Sequence, residues 1–128
     1  MTIEQDSVHE KYALPLARHI QTIQSSDPYV KTFAVDDEFM ILKKLRRNDE
    51  ALKVLELHHA KNRKEPLMLF ELGRMKILAN EVAGGIAYLK KAKQNSNNMF
   101  TKQIFIDQLN NPDFNKVRDR PEFKKLSE

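Results

Sequence analysis

Apolar residues recur at spacings of three and four along most of this chain, with polar breaks between the runs. That period lines side chains along one face of a helix, so the pattern predicts a string of amphipathic helices. The densest stretch is residues 66–97. Leu67, Leu69, Phe70, Leu72, Ile77 and Leu78 mark one helix there; Ile86, Tyr88, Leu89 and Ala92 mark a second. A polar turn near Asn80 divides them, and small residues at Gly73, Ala83, Gly84, Gly85 and Ala87 would let the two backbones approach. The stretch predicts a helical hairpin.

Upstream, Val8, Tyr12, Leu16, Ile20 and Ile23 share one face of a helical segment over residues 3–25. Pro15 lacks an amide hydrogen and clashes with the preceding turn, so a break is expected beside Ala13 and Leu14. Ser25-Ser26-Asp27-Pro28 reads as a stop and restart with Asp27 as cap. Asp36-Asp37-Glu38 reads as the acidic start of a helix through Phe39, Met40, Leu42 and Leu45 to Arg46-Arg47. After a turn at Asn48-Asp49, with Asp49 capping, Ala51, Leu52, Val54, Leu55 and Leu57 carry the next helix to about Asn62. Beyond the hairpin a helix is expected from Met99 to about Leu109. Two short turns then place Phe114, Val117, Phe123 and Leu126 as a lid over the remaining apolar surface.

Composition narrows the class. At 128 residues and 41% hydrophobic, the chain suits a single domain with a small core. Three Gly and five Pro argue against disorder and against a turn-rich β fold. The absence of cysteine removes disulfides, thiolate metal sites and Cys nucleophiles. No apolar run reaches the roughly 20 residues that span a bilayer, and the N-terminal residues are too polar and acidic for a secretory signal. A cytoplasmic protein is therefore expected. The net charge of +4 is uneven: residues 1–40 hold three basic and seven acidic residues, and the rest hold 19 and 11. A basic C-terminal two-thirds suits an acidic partner, or a mixed, solvated helical surface.

A shift of the chain by 34 residues brings Ala51-Leu52 onto Gly85-Ile86, Leu55 onto Leu89 and Leu72 onto Ile106. A 34-residue helical hairpin resembles the tetratricopeptide repeat family. Leu72-Gly73 matches the Leu-Gly pair of that family's first helix. Gly85, Leu89 and Ala92 match the small, large and small positions of its second. Lys76 and Asn97 depart from the pattern, as do Phe39 and His58 in the weaker unit at 32–65. The resemblance implies an all-α fold: TPR-like stacked hairpins forming a right-handed α-solenoid segment. N-terminal helices over 1–31 would cap a repeat core over 32–109, closed by a lid over 110–128. A helical bundle without repeat order is the alternative. The resemblance further implies a concave groove lined by the first helix of each pair, at Phe33, Met40, Leu67, Phe70, Arg74 and Ile104. Packing of those residues on the N-terminal helices is the competing reading. Some relatives clamp chaperone tails through groove Lys and Asn residues; Asp36, Met40, Phe70 and Glu71 stand here instead, which speaks against that partner.

Candidate chemistry is sparse. His58 and His59 are adjacent rather than four apart, so they point about 100° apart on a helix and no third metal ligand is in view. Neither a G-x-S-x-G elbow nor a phosphate-binding loop is present. No catalytic residue, metal or cofactor is expected. The reading is a non-enzymatic adaptor or small chaperone that holds a peptide or partner segment in an apolar groove. The alternative is a nucleic-acid-associated regulator using the basic patch Lys43, Lys44, Arg46 and Arg47. Self-association as a homodimer is a third outcome.

Overall fold

The computed structural model of the chain describes residues 7–23 and 27–128, and every regular element among them is helical. The expected helix start at residue 3 and the stop at Ser25 and Ser26 lie outside the described residues. The chain divides into two compact units, Met1–His58 and His59–Glu128. The boundary falls inside a helix, within the repeat core expected over 32–109.

The first unit opens with a π-helical turn, His9–Ala13, leading into α1, Leu14–Ile20. The break expected beside Ala13 and Leu14 does not occur: the backbone stays helical through Pro15, widened to a π-helical turn just before it. The Leu14 N–H bonds to the His9 carbonyl, five residues back, in the last turn before the proline. Helix α2, Pro28–Lys44, is continuous; Asp27 caps it, accepting the Tyr29 N–H at 2.9 Å. Asp36, Asp37 and Glu38 are thus in mid-helix and do not serve the dipole of a first turn. Glu38 instead ties α1 to α2. It is buried, accepts from Arg18 Nε at 2.7 Å and from Gln21 Nε2 at 2.9 Å.

That tie rotates α1 away from the predicted orientation. Leu14 and Ala17 are buried, one helical turn from Arg18 and Gln21, while Val8, Tyr12, Leu16 and Ile23 are exposed. Small side chains at Ala17 and Ala34, both buried, permit the close approach that the Gln21 bond to the Ala34 carbonyl requires.

Helix α2 ends with Arg46 in the left-handed region at φ 62°. The Arg47 N–H reaches the Leu42 carbonyl and the Arg46 N–H reaches that of Lys43, so the last carbonyls are satisfied in a Schellman motif. Helix α3, Asn48–Lys61, follows, with Asp49 and Glu50 both inside its first turn; Asp49 therefore favours the dipole from within rather than capping.

In the second unit α4, Pro66–Leu78, and α5, Val82–Gln94, form the predicted hairpin. Glu65 caps α4, accepting the Met68 N–H at 2.9 Å. Burial pushes its carboxyl above the usual range, and the Met68 and Leu67 N–H groups partly offset this. Asn80, at φ 65°, repeats the Schellman turn, with the Glu81 N–H on the Lys76 carbonyl and the Asn80 N–H on that of Ile77. The two left-handed residues, Arg46 and Asn80, are 34 positions apart. The helices that precede them end at Lys44 and Leu78, and those that follow begin at Asn48 and Val82, with the same spacing.

The helices of the hairpin touch backbone to backbone. A Cβ added at Gly73 would lie 2.9 Å from the Gly85 carbonyl oxygen, and one at Gly85 would lie 2.9 Å from that of Gly73. Gly84 faces open space, and Ala83 and Ala87 are exposed, so only two of the five small residues make the approach.

Helix α6, Lys102–Gln108, capped by Thr101, leads to the lid. The lid consists of a 3-10 turn, Pro112–Val117, the short α7, Pro121–Lys124, and a last turn, Lys125–Ser127. As expected, Phe114, Val117, Phe123 and Leu126 are buried with Leu69, Phe70, Ile77, Ile86 and Leu89 in one core. Lys116 Nζ fixes the lid to the hairpin turn, donating to Asn80 Oδ1 at 2.7 Å and to the Leu78 carbonyl at 3.3 Å.

Candidate functional site

An open concavity lies in the first unit. A cleft of about 320 Å³ lies between the N-terminal helical segment and α2. His9, Ala13, Leu16, Ala17 and Ile20 form one wall; Asp37, Met40, Ile41 and Lys44 form the other. The walls are mostly aliphatic, and the rim carries both signs of charge. The cleft exists because α1 meets α2 through Leu14, Ala17 and the Glu38 tie. Those contacts lie on one side of α1 and leave the Leu16 side standing off. Tyr12, 69% exposed, and Leu16 continue the apolar surface outward.

The six expected groove residues are divided between the two units, Phe33 and Met40 in the first and Leu67, Phe70, Arg74 and Ile104 in the second. Met40 lines the cleft, and Phe33 is exposed on α2. Ile104 is exposed on α6, and Leu67 packs, half-buried, on the core of the second unit. Phe70 is 0% exposed, at the centre of a cluster with ring centroids 5.6 Å from Phe100, 5.8 Å from Phe105 and 5.7 Å from Phe114. It belongs to the core, because the lid that the sequence predicted closes over it. Arg74, 4% exposed, is likewise interior: its Nη2 pairs with Glu71 Oε2 at 2.7 Å and its Nε lies 3.7 Å from Asp113 of the lid. A partner cannot reach either side chain while the lid is in place.

The predicted basic patch is partly neutralised. Arg47 is clasped by Glu50, with Nη2 to Oε1 at 2.9 Å, and this bond holds the Glu50 carboxyl below its usual range. Lys44 and Asp37 line the same cleft, and Lys43 is half-buried. Only Arg46 and Lys44 of the four are exposed.

Two further basic clusters of the sequence, Lys61, Arg63 and Lys64 and Lys90, Lys91 and Lys93, lie in the second unit and were expected to lack aromatic neighbours. The His59 ring meets Tyr88 edge-on at 5.8 Å, and Lys91 Nζ lies 5.9 Å from the Tyr88 centroid. Burial, with Arg63 and Lys91 adding like charge, pushes the His59 imidazole below its usual pKa. The signal was present: residues 59–64 and 82–106 contain no acidic residue. No group of three or more potential metal ligands occurs among the described residues, and none of their helices is long and apolar enough to cross a membrane.

No family model matches the chain, and no curated protein or solved structure matches it significantly.

Proposed function

We propose that the chain is a non-enzymatic protein-binding module of tetratricopeptide-like design, which receives the apolar face of a partner's amphipathic helix in the cleft of the first unit. The observation that carries this reading is the exposed row Val8, Tyr12 and Leu16 standing beside an aliphatic cleft. A contiguous exposed apolar patch rimmed by polar residues marks an interaction site. The cleft is at the small end for an enclosed ligand but open along the row, which suits a few anchoring side chains of a helix laid across it. His9 on one wall and Asp37 and Lys44 on the other favour a partner helix with flanking charges of both signs. The repeat design draws its support from the two Schellman turns at Arg46 and Asn80, spaced by the 34 residues of the family's hairpin.

Titration of isotope-labelled protein with amphipathic helical peptides tests the site. Resonances of Tyr12, Leu16, Ile20, Met40 and Ile41 are expected to shift, and Leu16→Asp is expected to abolish the effect. Leu16 is exposed, so the variant's stability should remain within about 0.5 kcal/mol of the parent. Peptide binding undiminished by Leu16→Asp rejects the site. Sedimentation at rising concentration separates a foreign helix from a second copy: a dimer lost on Leu16→Asp would assign the cleft to self-association.

A further inference from the structure

The cluster around Tyr88 has the components of a different surface, independent of the cleft. Tyr88 is half-buried: part of the ring packs on the core of the second unit and part remains accessible. Its surroundings are cationic. Lys91 sits over the ring, and Arg63 and Lys91 both act on the adjacent His59. Lys61, Lys64 and Lys90 are exposed nearby in sequence. None of Lys61, Arg63, Lys64, Lys90 and Lys91 forms an ion pair with a described residue. That contrasts with Arg18, Arg47, Arg74 and Lys76, each of which has a carboxylate partner. Along α5 the neighbouring exposed positions are Ala83, Gly84 and Ala87, and Gly84 has open space around it. The face thus offers one aromatic platform among cations with no ion-pair partner among the described residues.

We propose that this face, built on Tyr88, Lys91, His59 and Arg63, binds single-stranded nucleic acid. Cations from two acid-free stretches, 59–64 and 82–106, attract a phosphate backbone, and binding releases its counterions. A backbone alone would be served by the cations. The accessible ring adds a stacking surface for an unpaired base, which a duplex or a lipid headgroup does not offer. The aromatic therefore favours a single strand over the other polyanions.

Fluorescence anisotropy of the full chain with a labelled single-stranded oligonucleotide of about 15 residues, longer than most single-module footprints, tests the proposal. Log affinity is expected to fall with log salt with a slope of about −2 to −3, the release from three or four phosphates. The double variant Arg63→Glu/Lys91→Glu should weaken binding at least tenfold and flatten that slope. Tyr88→Leu keeps an apolar side chain for the core but removes the platform, and should cost about tenfold with the slope unchanged. Tyr88→Phe should retain affinity. Leu16→Asp, which tests the cleft, should leave oligonucleotide binding as it was. Absence of binding at low salt overturns the proposal. So does unchanged affinity in the Arg63→Glu/Lys91→Glu protein, or equal affinity of Tyr88→Leu and Tyr88→Phe. Heparin or phosphatidylserine vesicles competing as well as the oligonucleotide would reassign the face to polyanions without base stacking, and would equally overturn it.

Discussion

Gly84 and Gly85 are neighbours with opposite roles, and substitution should separate them. Gly85→Ala would put a methyl 2.5 Å from Ile77 Cγ1 and 2.9 Å from the Gly73 carbonyl oxygen. The backbone contact cannot yield without parting the helices, so a loss of about 1–3 kcal/mol is expected. Gly84→Ala meets nothing within 4 Å in the first turn of α5 and should gain up to about 0.5 kcal/mol. Denaturant midpoints of the two variants should move in opposite directions. His59 is the residue whose titration should be visible. Its folded pKa is depressed by burial, then by Arg63 and Lys91. The unfolded chain therefore binds the proton more readily, and the neutral ring's contribution is complete above pH about 6.5 and declines as pH falls from there towards the folded pKa. His59→Gln should show a smaller fall in stability between pH 7.5 and 5.5 than the parent. An equal fall in both would remove His59 from the account.

At the scale of elements, the two Schellman turns are the sharpest comparison. Arginine has a Cβ that disfavours the left-handed region, whereas asparagine enters it readily. Arg46→Gly is therefore expected to stabilise the protein by about 0.5–1 kcal/mol. Asn80→Gly should not, because it also removes the acceptor for Lys116 Nζ at 2.7 Å. Thermal unfolding of both variants checks the asymmetry. The turns also show how far local reading reaches. Asn80 was legible as a turn from its type. Arg46 was read as the basic end of a helix, since an arginine carries no signature of a positive φ. Helix α1 was placed by its period but faced wrongly. Leu14 and Ala17 offered a second, narrower apolar face, and Glu38, 20 residues beyond Arg18, selected it.

At the scale of the whole molecule, the lid is a structural part of the second unit. Removal of residues 111–128 would uncover Phe70 and take Phe114, Val117, Phe123 and Leu126 from the core. Buried side chains of this size contribute roughly 1.5–3 kcal/mol each, so four rival the net stability of a small domain. The truncated chain is expected to bind a hydrophobic dye and to lose cooperative unfolding of that unit. Cooperative unfolding retained at the parent's midpoint would show that the lid is dispensable. Most helix ends, that residues 66–94 turn back on themselves, and that the last four apolar residues form a lid were readable from the chain, though the start of α2 at Pro28 was displaced to Asp36. Each depends on neighbours within about four positions: a cap, a proline, a polar turn, a helical period. Three outcomes were left to tertiary structure: the interior placement of Phe70 and Arg74, the exposed row beside α1, and the meeting of Tyr88 with His59. These depend on contacts between residues tens of positions apart, such as Phe70 with Phe114 or Arg74 with Asp113. A helix with apolar residues on more than one side does not record which side its neighbours will cover.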